Sequence, residues 1–113
     1  MAVTQAELRA LLFELKDVEE TISYGTPMFK VRKIMLARLR GDGVLVLRTE
    51  PMTRDMLLAT APDTFFLEDH YVGYPAVLVH LDAADRTRLG ALLAASWTLI
   101  TTKQRRRAVS HHD

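Results

Sequence analysis

The chain has 113 residues, 49% of them apolar, a net charge of +1 and no cysteine. That is enough apolar material for one domain with a core of its own. The missing cysteines exclude a disulfide framework and a thiolate metal site, and they fit a reducing compartment. The small net charge argues against a strong non-specific polyanion binder, but the charges are segregated. Residues 21–41 hold five cations (Lys30, Arg32, Lys33, Arg38, Arg40) and no anion, and Lys103, Arg105, Arg106 and Arg107 crowd the end. Acids collect elsewhere, at Glu14, Asp17, Glu19 and Glu20 and then at Asp63, Glu68, Asp69, Asp82 and Asp85. Such a distribution gives a strong local field at low net charge. The opening MAVTQAEL has no basic segment followed by an apolar run, so no signal peptide is expected. No apolar stretch approaches the roughly 20 residues that span a bilayer. A soluble cytoplasmic protein is expected.

Thr4-Gln5-Ala6-Glu7 reads as a capping box opening a helix. Leu8, Leu11, Leu12 and Leu15 then recur at helical spacing, so the helix should end near Leu15, followed by a solvated acidic link over residues 16–20. Thr21-Ile22-Ser23-Tyr24 is short and β-prone, and Gly25-Thr26-Pro27 interrupts it. From Phe29 the odd positions are Phe29, Val31, Lys33, Met35, Ala37 and Leu39. The even positions are Lys30, Arg32, Ile34, Leu36, Arg38 and Arg40. A period of two makes one face apolar and the other mainly basic, and Lys33 breaks the pattern where a turn near Arg32-Lys33 would split the run. Gly41-Asp42-Gly43 is a hairpin turn signal, with residues 44–48 as the return strand.

Pro51 stops that strand, and Thr53 is the expected N-cap of a helix over residues 54–61. Strands are expected at residues 64–67 and 76–81, with a loop over 69–74 between them. Asp82 or Asp85 should cap the last helix, whose buried stripe is Leu89, Leu92, Leu93, Ser96, Trp97 and Ile100, with Trp97 against the sheet. The spacing ends this helix at Thr102, giving a domain over residues 1–102 and a basic mobile tail over 103–113. Runs of strands separated by single helices predict an α+β domain, an antiparallel sheet with its helices mainly on one face.

Several stretches together resemble the MmcQ/YjbR family of small bacterial proteins. They are Ser23-Tyr24-Gly25-Thr26-Pro27-Met28-Phe29-Lys30-Val31, Lys33-Ile34-Met35-Leu36-Ala37-Arg38-Leu39, Phe65-Phe66-Leu67 and His70-Tyr71-Val72-Gly73-Tyr74-Pro75-Ala76-Val77-Leu78-Val79, with Trp97 in the last helix. The likeness spans residues 8–102. It implies an α-β(3)-α-β(2)-α fold similar to secretion chaperones and to the double-wing DNA-binding domain of a phage transcription factor. It also implies DNA binding, through fold analogy. One branch of the family carries an aromatic residue, usually Trp, just before the Val-x-Val strand. Pro75-Ala76 stands there instead, so that contact is not carried over.

The residues suggest where DNA would be held. Lys30, Arg32, Arg38 and Arg40 should project from one hairpin face, with Arg48 beside them, and a β-ribbon of this kind lies in a duplex groove with its cations on phosphates. Arg105, Arg106 and Arg107 would add phosphate contacts from the tail. The plainer readings are a solvated sheet face and a solubilising end. The alternative is a module of secretion-chaperone shape that binds a protein or small ligand through Tyr71 and Tyr74 and has no nucleic-acid role. Glu68-Asp69-His70, like His80 with Asp82, lacks the spacing of a known metal or acid–base motif. No G-x-S-x-G surrounds Ser23 or Ser96. No catalytic residue, metal or cofactor is therefore expected, and a monomer is the default because no dimerisation stripe is visible. An enzyme using Asp69 or His70 would need both in a deep pocket.

Overall fold

The computed structural model describes residues 2–110, and side chains as far as Arg106. The chain forms α1 (Gln5–Phe13), β1 (Val18–Ser23), β2 (Thr26–Val31), β3 (Ile34–Leu39), β4 (Val44–Arg48), α2 (Pro51–Thr60), β5 (Phe65–Phe66), β6 (Ala76–His80) and α3 (Arg86–Ser110). This is an α+β fold with one antiparallel six-stranded sheet in the order β1-β2-β3-β4-β6-β5. Four strands precede α2, one more than the resemblance implies. The extra strand is β1, which begins at Val18, so much of the expected acidic link is sheet. Glu19 and Glu20 are exposed there, and charge on an edge strand discourages pairing with another chain.

The Thr4 hydroxyl accepts from the Glu7 amide and the Glu7 carboxylate accepts from the Thr4 amide, both at 3.1 Å, which completes the expected capping box. Leu8 and Leu12 are fully buried, and α1 ends two residues before Leu15. Two tight hairpins follow. Tyr24 and Gly25 (φ 52° and 78°) join β1 to β2, and Arg32 and Lys33 (φ 49° and 75°) join β2 to β3. Left-handed residues at both central positions match the twist of the flanking strands. The expected split at Arg32-Lys33 is this second turn.

Helix α2 begins earlier than expected. Pro51 occupies its first turn and Glu50, not Thr53, is the N-cap. Proline suits that place because its missing amide would have had no partner. Strand β5 is two residues long, and a 3-10 turn at Asp69–Tyr71 occupies part of the expected loop. Asp85 caps α3, its carboxylate accepting from the Arg88 amide at 2.8 Å. Helix α3 then continues to Ser110 instead of yielding a mobile tail at Thr102. Gln104 supplies one reason, since its amide nitrogen donates to the carbonyls of Val31 and Arg32 at 3.3 Å and ties the added turns to the β2–β3 hairpin.

All three helices cover one face of the sheet. Leu8, Leu12, Leu57, Leu89, Leu93 and Ile100 pack there against Phe29, Val31, Ala37, Leu45, Leu47, Val77 and Val79. Trp97 joins this core at its border, and its indole N–H donates to the Lys16 carbonyl at 2.7 Å. The opposite face carries a smaller cluster, Val44, Val46, Ala76 and Leu78, with Met35, Phe66 and Tyr71 against it.

A bulge in β3 decides which side chains reach that second face. Phe29 pairs with Ala37, but Lys30 pairs with Met35, so Leu36 is the additional residue. An additional residue resets strand alternation. Leu36 therefore joins Ala37 in the helix-side core, Ile34 packs against the same core, and Met35 crosses to the open face. The odd–even pattern read from the sequence holds from Ala37 onward and reverses below the bulge.

Candidate nucleic-acid interface

The hairpin cations meet different fates. Arg32 lies in the turn and bonds Asp17 at 3.0 Å. Arg40 is clamped between Asp42 and Glu68, the latter at 2.7 Å. Its hydrogen bonds to the two carboxylates hold the guanidinium proton more tightly than usual, and they pull both carboxyls below their ordinary range. Arg40 is bonded to two carboxylates at once, and Arg32 spends two of its three nitrogens on one exposed carboxylate. The expected anion-free ribbon is a local truth of the sequence, corrected by acids that come from residues 17, 42 and 68.

Arg38, Arg48 and Lys30 differ. No acid pairs with any of them among the described residues. Register puts Arg38 opposite Met28 on one side and Val46 on the other, on the face away from the helices. Its Nε is buried and lacks a hydrogen-bond partner. Arg48 ends β4 opposite Ala76 on the same face. Its Nε donates to the Met35 carbonyl beside the bulge, and its own carbonyl accepts from the Ser96 hydroxyl on α3. Both ends of the residue are thus fixed by protein. Burial lowers the Arg48 pKa, because the charged form has lost water without gaining a counter-ion.

The two guanidinium-bearing side chains open on a cavity of about 400 Å³, together with Met35, Val46, His70, Tyr71, Tyr74, Pro75 and Ala76. The loop after the 3-10 turn forms its far wall. Tyr71 packs on the open-face cluster, with the His70 ring 4.5 Å away and the Tyr74 ring edge-on at 6.2 Å. Tyr74 is 61% exposed. The expected ligand loop and part of the expected basic face are therefore one site. The lining sets two planar, multiply donating cations beside aromatic faces, a combination whose chemistry suits an anion.

Other expected residues lie elsewhere. Arg105 and Arg106 are exposed on the last turns of α3, and the Arg107 side chain, His111 and His112 lie outside the described residues. Glu68 is taken by Arg40, Asp69 is exposed, and His80 stacks on Phe66 at 4.1 Å. Among the described residues no three His, Asp or Glu side chains gather as a metal site requires.

A model of the YjbR family matches residues 13–99. The chain belongs to the YjbR family. The crystal structure of Deinococcus radiodurans protein DR2400, a DUF419 domain, is similar to it at 27% identity and a TM-score of 0.79, covering 91% of this chain and 82% of that one. No curated protein matches the chain significantly. In this YjbR chain the residue before β6 is Pro75, and the aromatic rings come instead from Tyr71 and Tyr74. Sequence reading named Arg38, Arg48, Tyr71 and Tyr74 but did not join them, and it left His70 and Met35 out of the site. Pairing β4 with β6 brings the loop before β6 to the arginines, and strand order across a crossover is not written in local pattern.

Proposed function

We propose that this YjbR protein binds DNA on the open face of its sheet, with phosphate held by Arg38 and Arg48 and a base resting against Tyr74. The observation that carries the reading is the convergence of two carboxylate-free arginines on one cavity beside exposed aromatic rings. Arginine suits phosphate because its planar fork donates two parallel hydrogen bonds. Lys30 lies on the same face and adds a third cation. The interface is small. Its affinity should depend on salt with a log–log slope of about −2, as for two to three phosphates, whereas four to six contacts spread over the ribbon and tail would give about −4 to −5.

The test is fluorescence anisotropy of a labelled oligonucleotide at several salt concentrations, with the parent, Arg48→Gln and Arg38→Gln. Binding with the shallow slope, weakened by either substitution, supports the reading. Absence of binding at low salt rejects it.

A second reading keeps the cavity and changes the occupant, to a small anionic ligand with a flat ring. The cavity, walled on one side by Tyr71, Tyr74 and Pro75, has the volume for such a molecule. Titration with nucleoside monophosphates separates the two, since a free ligand would bind as tightly as the oligonucleotide. No enzymatic step is assigned in either reading.

A further inference from the structure

We infer that the DNA is taken as a single strand, and that the strand runs from the open-face cavity past Arg48 into a second cavity bordered by Lys103. This rests on the DNA-binding reading and adds its substrate class and path. The second cavity, about 220 Å³, lies between the ends of β3 and β4, the start of α2 and the last turns of α3. Ile34, Leu99 and Ile100 line it with apolar surface, and Arg48, Lys103 and Gln104 supply polar groups. Arg48 and Pro75 border both cavities, so the two adjoin at these residues.

Three observations favour a single strand. On the hairpin that would enter a duplex groove Arg32 and Arg40 are tied to acids, while Arg38 and Arg48, which pair with no acid among the described residues, line a cavity. Bases within a duplex are stacked on one another and present no face to Tyr74, whereas unpaired bases stack on aromatic side chains whatever their identity. Each of the adjoining cavities sets a cation beside apolar surface, as a strand sets sugar–phosphate beside base. Lys103 is exposed and forms no ion pair among the described residues, which leaves its ammonium for a second phosphate. Glu50 is the acid that lines this second cavity, so it opposes the strand there.

The experiment compares a labelled oligothymidylate with the duplex it forms with oligoadenylate, and with thymidine monophosphate, against the parent, Tyr74→Ala, Lys103→Gln and Glu50→Gln. The expected result is tighter binding of the single strand than of the duplex. Tyr74→Ala should weaken it about tenfold. Lys103→Gln should weaken it and make the salt slope shallower by about 0.7. Glu50→Gln should strengthen it. All three side chains are exposed, and thermal melts establish that the variants fold. Duplex binding as tight as single-strand binding, indifferent to Tyr74→Ala and Lys103→Gln, overturns the inference and leaves of the DNA reading only the phosphate contacts of Arg38 and Arg48. Monophosphate binding equal to that of the oligonucleotide overturns the path, and no binding of either nucleic acid removes both.

Discussion

Arg40 and Arg48 stand eight positions apart, both near strand ends, and they have opposite roles. Arg40 is a structural cation. Its guanidinium links the β3–β4 turn through Asp42 to the segment after β5 through Glu68. Because both carboxyls have pKa values depressed from ordinary values of 3.8 and 4.5, their contribution to stability is present above those ordinary values and is lost as pH falls below them through the depressed ones. Arg40→Gln should therefore flatten the acid side of the stability–pH curve below about 4.5, read by urea titrations at a series of pH values, while oligonucleotide affinity stays unchanged. Arg48 carries the reverse expectation. Arg48→Gln should cost affinity with little change in the acid limb, and Arg48→Lys should restore it poorly, because an ammonium lacks the second parallel donor.

At the scale of elements, the β2–β3 hairpin separates folding from binding. Arg32 and Lys33 both occupy left-handed backbone that favours Asn and Gly. Replacing the pair by Asn-Gly should stabilise the protein by about 0.5 kcal/mol, since relief of backbone strain outweighs one exposed ion pair. It should leave DNA affinity unchanged, a result that a ribbon-based interface using Arg32 would not give. The last helix is held differently at its two halves. Leu93 is fully buried, and Leu93→Ala should cost about 2–5 kcal/mol in urea denaturation. Truncation after Thr102 removes Gln104, which bonds the hairpin, and Lys103, which borders the second cavity. Hydrogen exchange should then quicken at the β2–β3 turn, and single-strand binding should fall.

Over the whole molecule, the two faces of the sheet divide the work. The helices bury one face in a continuous apolar core, and the other face keeps a smaller cluster beside the cavity with the two arginines. Folding also redistributes charge. Arg9 reaches Glu20 at 3.0 Å, and Arg32 and Arg40 reach their acids, so among the described residues Arg38 alone of the five cations in residues 21–41 is both without an acid and in the lining of the cavity, where Arg48 joins it. The expected salt slope is shallow for that reason. Among the described residues no helix is long and apolar enough to cross a membrane.

The elements themselves were legible in the chain. The Thr4–Glu7 box, the leucine spacing of α1 and α3, the hairpin signals and the alternation of β2 and of upper β3 are local patterns, and local backbone sterics and solvation enforce them. Family membership was legible too, in the order of short motifs from Ser23 to Trp97. Tertiary structure decided what those patterns could not hold. The edge strand β1 begins three residues before the β-prone Thr21–Ser23, and Glu19 and Glu20 hid that start. The bulge at Leu36 moves Met35 to the opposite face without any glycine to mark it. Gln104 holds α3 in register past its apolar stripe. The site was divided in the same way. Its residue types were visible, but whether an arginine is spent on an acid or left facing a cavity depends on which strands become neighbours, and that is a long-range property of the packed chain.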